Sequence, residues 1–260
     1  MGMDVRVLRV GALVAVLVVA GCSVADDGGR DHNPAHQPGY VLPERAVDGS
    51  APTAPDDHVV RGGDGYGVRD SVFQLVDGAD VVRVSLADLG GSLFQVATPA
   101  GSKVVPGVQA DGNAVVAGLR DSGQAGPAMV TVQLARDVRW RVRLTGGASD
   151  ESVDLTGGPY GGDVELVAGT TRAEVSLPGA AGTQRVVMTG GASKMVVHVA
   201  GAGPVRVAAR SGAGSVTIDG QTHAGVAGGT VFAPLGWETA RDRYDIDAAG
   251  GVSELTVNRN

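Results

Sequence analysis

An interval of eleven residues governs the middle of this chain. Leu144, Leu155, Leu166, Leu177, Met188 and Val199 follow one another at that spacing, and the segment Thr145-Gly146-Gly147-Ala148-Ser149 returns as Thr189-Gly190-Gly191-Ala192-Ser193. Core chemistry and turn chemistry repeat together, which points to stacked units. A strand of about five residues plus a turn fills one interval, and two intervals make a 22-residue unit.

The segments 82–86, 130–134, 164–166, 205–207, 216–218 and 255–257 alternate apolar with polar residues, so one face of each enters a core and the other meets solvent. Gly-Gly, Ala-Gly and Asp-Gly pairs between them are expected to supply the positive φ angles of tight turns. Such a chain is all-β. In a right-handed β-solenoid, or β-helix-like repeat, each 22-residue unit is one coil and equivalent Val and Leu side chains stack about 4.8 Å apart. In a β-sandwich, the alternative, the same units are successive hairpins packed face to face. Hairpin lengths drift with their loops, whereas each coil must lie on the last, so the constancy from Leu144 to Val199 favours the solenoid.

Outside that window the period loosens. Val207 to Ile218 and Ile246 to Val257 keep it, but Met188 to Val207 is nineteen residues, which reads as a loss of three. Residues 68–139 read as the same sheet system with looser coils, or as a separate small β domain with a boundary near 139. The core must be built from Val, Leu and Ala, because the chain has only three Phe and two Trp. A formal charge of −7 without a long basic run excludes the electrostatic footprint of a nucleic-acid binder.

The N-terminus has a different character. Arg6 and Arg9 precede an apolar run from Val10 to Gly21, the length of a signal-peptide core and too short to span a bilayer. The run ends in Val19-Ala20-Gly21-Cys22, and Cys22 is the only cysteine, so no internal disulfide or CxxC site can form. This segment resembles the lipobox of bacterial lipoproteins, which implies removal of residues 1–21 as a signal peptide and diacylation of the Cys22 sulfur. Each buried CH₂ contributes about 0.8 kcal/mol, so two chains anchor a protein stably to a membrane. Residues 22–57 hold Pro34, Pro38, Pro43, Pro52 and Pro55 among Gly, Asp and His, and read as a disordered, flexible tether with a reach of roughly 30–35 Å. His32 and His36 lie in this tether, where the prolines forbid a helix and no metal site is expected. The β-repeat domain then occupies 58–260.

Residues 220–242 interrupt the repeat and hold His223, Phe232, Trp237 and Glu238, the least monotonous chemistry in the chain. They form either a binding loop on a rigid scaffold or a cap in which Phe232 and Trp237 shield the open end from edge pairing. The Val-x-Val strands, the Gly-Gly-Ala-Ser turns and the closing segment from Arg243 to Ser253 resemble the bacterial adhesin-like β-strand-repeat proteins, including actinobacterial lipoproteins. That resemblance spans about residues 68–260. It implies a β-solenoid at the cell envelope with a non-catalytic binding or structural role, and it transfers no catalytic residue. The partners it leaves open are an envelope protein or a cell-wall glycan.

Catalytic and cofactor motifs are not evident. No Gly-x-Ser-x-Gly elbow and no phosphate-binding Gly-x-x-x-x-Gly-Lys occurs. The stretches 62–67 and 157–163 match a calcium-binding nonapeptide only in part, so turns are expected there. His198 alternates with Val197 and Val199 and should face solvent. Asp245 and Asp247 share a face opposite Tyr244 and Ile246, which suggests a solvated outer face. The rival is a glycan-cleaving enzyme drawing on Asp242, Asp245, Glu238 and His223. A third reading is an accessory role in envelope-stress sensing. No cofactor, metal or catalytic residue is expected.

Overall fold

The computed structural model describes residues 57–260, which form nineteen strands in two mixed sheets and one short 3-10 turn. The leader, Val19, Ala20, Gly21, Cys22 and the histidines of the tether lie outside the described residues. Among the described residues, no helix is long and apolar enough to cross a membrane.

The central strands are β8 (Arg139–Leu144), β9 (Ala148–Asp154), β10 (Gly162–Leu166), β11 (Thr170–Leu177), β12 (Thr183–Met188) and β13 (Ala192–Val199). The chain alternates between sheets: β8, β10 and β12 lie side by side in one, and β9, β11 and β13 in the other. Neighbours are parallel and displaced by 22 residues, as in Leu144 opposite Leu166, Leu166 opposite Met188, and Leu177 opposite Val199. The six ladder residues are each at most 1 % exposed. Alternation thus sends one face of each strand into a core shared by both sheets.

Before this block come β1 (Val59–Asp64), β2 (Asp70–Leu75), β3 (Ala79–Ala87), β4 (Ser92–Ala97), β5 (Val104–Asp111), β6 (Ala114–Asp121) and β7 (Met129–Ala135). After it come β14 (Val205–Ala209), β15 (Ala213–Ile218), β16 (Gln221–Val226), β17 (Thr230–Phe232), β18 (Arg243–Ala248) and β19 (Val252–Arg259). The first sheet runs β17-β14-β18-β12-β10-β8-β2-β6-β5, and the second β1-β4-β7-β3-β9-β11-β13-β19-β15-β16. Both sheets pass through residue 139 without a break, because β2 bonds to β8 and β3 to β9.

Chain order and spatial order part company at both ends. The β18–β19 unit lies between β12–β13 and β14–β15, although it follows both in the sequence; β2–β3 likewise lies between β6–β7 and β8–β9. This changes the reading of the period. Val207 faces Ile246, and Ile246 faces Val186, so Met188 corresponds to Ala248 and Ala209. The interval from Met188 to Ala209 is shorter than 22 residues by one, not by three.

The corner glycines also serve a purpose other than the expected one. Gly146, Gly190 and Gly250 are absent from the left-handed region that Gly90, Gly91, Gly112 and Gly220 occupy. Each instead lies against the backbone of the neighbouring corner: Gly146 against Asp77, Gly190 against Ala168, and Gly250 against Gly190, where a Cβ would collide. Their role is close approach between stacked corners.

Charge is ordered on the outer face of the first sheet. The register sets Arg141, Asp163, Arg185, Asp245 and Arg206 side by side on β8, β10, β12, β18 and β14. Signs alternate along this row, as cross-strand pairing favours. Arg206 grips Asp245 with two hydrogen bonds of 2.9 and 2.8 Å, and Arg185 approaches the same carboxylate at 3.9 Å. Asp245 is therefore on the outer face but only 8 % exposed, where solvation was expected.

Candidate functional site

The segment after β15 departs from the repeat through an Asp219-Gly220 turn whose φ angles are 47° and 82°. Two successive left-handed residues match the twist of a two-residue hairpin, and β16 accordingly returns antiparallel beside β15. A second turn through Gly229, at φ 84°, brings β17 antiparallel against β14 in the other sheet. The excursion thus covers the final edge of both sheets, as an open stack requires.

A recess of about 600 Å³ remains between these two added strands. Val205 and Ile218 from the last stacked unit line it, together with Val231, Phe232, Ala233 and Pro234. His223 of β16 and Phe232 of β17 meet across it with ring centroids 4.7 Å apart and planes inclined by 34°. Asp219, Gln221 and Arg259 supply its polar groups. Arg259 is held by three acceptors: Nε donates to Asp219 Oδ2 at 3.0 Å, and Nη1 to the carbonyls of Gly201 and Gly203 at 3.1 and 2.9 Å.

Trp237 belongs to a different cluster. It is buried and absent from the recess lining, so it is not grouped with Phe232. The 3-10 turn Trp237–Thr239 lays its indole beneath two guanidiniums, with Arg206 at 4.1 Å and Arg243 at 4.3 Å from the ring centroid. The indole N–H donates to the Tyr244 carbonyl at 2.8 Å. Arg243 also donates to the carbonyls of Trp237 and Glu238, at 3.0 and 2.6 Å. This cluster staples the return of the chain onto β18. Glu238 is exposed at its margin, 3.9 Å from Arg206.

Of the four residues singled out in this excursion, the structure brings together His223 with Phe232, and separately Trp237 with Glu238. The acidic groups of the enzyme reading do not converge with His223. Asp242 accepts from the Gly182 N–H at 2.7 Å, Asp245 is bound by Arg206, and His223 faces the recess. His198 points outward as expected but is half-buried, 3.6 Å from Glu174, and its Nδ1 has no hydrogen-bond partner. Among the described residues, no group of three or more His, Cys, Asp and Glu side chains is arranged to hold a metal ion.

Sequence reasoning missed Asp219, Gln221 and Arg259. The Asp-Gly dipeptide between apolar runs was the available signal for the hairpin, and a hairpin there turns Asp219 and Gln221 toward the stack's end. It also missed Glu151, which faces inward on β9 at 1 % exposure. Its Oε2 has no hydrogen-bond partner, and burial pushes its carboxyl up to about 8.

No protein-family model and no curated protein sequence matches the chain. Among solved structures, it is similar to a Clostridium sporogenes protein described as a "putative cell adhesion protein", with 13 % identity, a TM-score of 0.57, and coverage of 78 % of this chain and 98 % of that one. A Bacteroides fragilis protein described as a "putative adhesin" aligns over 79 % of this chain and 99 % of its own at 11 % identity, with a TM-score of 0.20 that carries no argument. The clostridial likeness is one of fold: the two-sheet arrangement described above is shared with a bacterial protein of very different sequence.

Proposed function

We propose that this chain is a membrane-anchored lipoprotein of the cell envelope whose β-repeat domain binds a partner and performs no catalysis. The observation that carries the binding reading is the recess at the end of the stack, where a rigid scaffold presents fixed polar groups beside an aromatic wall. The name of the clostridial protein, with which the fold is shared, supports an adhesin-like role. Anchoring rests on the basic, apolar and small-residue sequence leading into Cys22. The two sheets are in this reading the faces of one β-solenoid, supported by parallel partners 22 residues apart; its right hand follows the general preference of parallel crossovers.

Two measurements test the proposal. Replacing Cys22 by Ala should move the protein from the membrane pellet to the soluble fraction, and unchanged retention would remove the anchor. The full-length protein should bind saturably to purified cell-wall glycan or to an envelope-protein fraction, and leave the bound material chemically unchanged by mass spectrometry. Failure to bind either fraction removes the binding role, and chemical conversion of the glycan favours an enzyme.

A further inference from the structure

The binding role can be carried to a class of ligand. Building on that role, we infer that the recess between β16 and β17 receives a neutral sugar ring, so that the partner is a glycan. Three features of the recess select that chemistry.

The first is size and lining. A volume of about 600 Å³ lies within the ordinary range of small-molecule sites, roughly 300–1,000 Å³. Phe232 and His223 lie against each other, and the half-buried Phe232 ring is part of the recess lining, so the pair offers an aromatic wall, already held in place, for the C–H groups of a pyranose.

The second is the pairing of donor and acceptor. A sugar presents adjacent hydroxyls, each able to donate one hydrogen bond and accept others. Asp219 commits Oδ2 to Arg259 and keeps Oδ1 as an acceptor. Arg259 commits Nε and Nη1 to Asp219, Gly201 and Gly203, and keeps the two protons of Nη2 as donors. The Gln221 amide adds one acceptor and two donors at the same recess. Because these three acceptors already hold Arg259, little side-chain freedom is lost when a ligand arrives.

The third is charge. The Asp219–Arg259 pair is a contact of opposite charges at 3.0 Å, so the polar part of the recess has no net charge to offer an anion. The chain as a whole carries −7 and opposes the approach of acidic polymers. A carboxylate or phosphate ligand would have to compete with Asp219 for the guanidinium, whereas a hydroxyl pair can use the ion pair as it stands.

Isothermal titration of the full-length protein in detergent micelles tests this, with glucose, galactose, mannose and N-acetylglucosamine as neutral probes, glucuronate as the charged comparison, and an apolar decapeptide as the protein-like one. At least one neutral sugar should bind, and glucuronate should bind at least about tenfold more weakly. Phe232→Ala and Gln221→Ala should each weaken sugar binding by about tenfold. Gln221 is exposed and its variant should keep the melting temperature, whereas Phe232 packs on the core and its variant should melt somewhat lower while staying folded at the assay temperature. Absence of binding by every neutral sugar overturns the inference, as does affinity indifferent to both substitutions or preference for glucuronate or the peptide. If the protein captures envelope material and Phe232→Ala does not diminish that capture, the recess is the wrong place while the binding role stands. If neither envelope fractions nor sugars bind, both readings fall.

Discussion

Glu151 stands in a row of inward-facing residues in which its neighbours are Val82 on β3 and Ala173 on β11. A carboxylate cannot be charged there without a partner, so it holds its proton. In the unfolded chain the group ionises near 4.5, whereas in the native protein it does so at about 8. Between these values the native state keeps a proton that the unfolded state has lost, so stability falls as pH rises through the window and levels off above it. Every tenfold difference in proton affinity between the two states corresponds to about 1.4 kcal/mol, which makes the effect on the order of a few kcal/mol. The melting temperature should therefore decline from about pH 5 to pH 8, and Glu151→Gln should flatten that decline and melt higher at the alkaline end. Parallel melting curves for the two proteins would contradict the assignment. On the opposite surface, Arg206→Ala should cost about 3 kcal/mol, because Asp245 is left buried with only the more distant Arg185. Urea denaturation measures that loss, and a cost near zero would mean that Asp245 relaxes into solvent. The alternation of Arg141, Asp163 and Arg185 was open to reading, since each is 22 residues from the next. Glu151 was not: a polar residue one step out of pattern has the same sequence signature whether it faces inward or the strand is locally shifted.

At the scale of the element, the corner of each repeat is set by how closely one backbone lies on the next. Gly190 tests this most directly, because an added Cβ would meet the backbone of Ala168 and Gly169 well inside van der Waals contact. Gly190→Ala should destabilise by about 1–3 kcal/mol, the usual cost of forcing extra volume into a packed region. Gly179→Ala, where nothing lies within 4 Å, should not. Equal denaturation midpoints for the two variants would refute the close-approach argument. The strands were legible because burial enforces strict alternation; the segments around Val82, Val130, Val164, Val216 and Leu255 all fall in β-strands. The glycines were legible as corners, but their reason was not. Positive φ and close approach select the same residue, and only the neighbouring corner distinguishes them.

Across the whole molecule, the order of the units was beyond reach of the sequence. β14–β15 and β18–β19 satisfy the same ladder equally well, with Val207 beside Ile246 and Ile218 beside Val257, so no local signal says which lies outermost. The excursion of residues 220–242 is what resolves it, by carrying the chain over the end of the stack and back. A chain ending at residue 242 would lose β18 and β19 and leave β12 separated from β14, and β13 from β15, by the width of a missing strand. Hydrogen exchange in residues 183–218 of that truncated chain should be far faster than in the intact protein. Unchanged protection would show that the flanking units close up on each other.

That interleaving bears on how the molecule answers tension. A chain whose last strand lay at the edge of a stack would peel, yielding its hydrogen bonds one at a time. Here β19 is bonded along its length to β13 on one side and β15 on the other. A pull on Asn260 loads both ladders together in shear, and the strand can leave only by breaking them at once. β19 is thus clasped between units that precede it in the sequence, and the resistance of the fold to a pull at this point is set by two ladders rather than one.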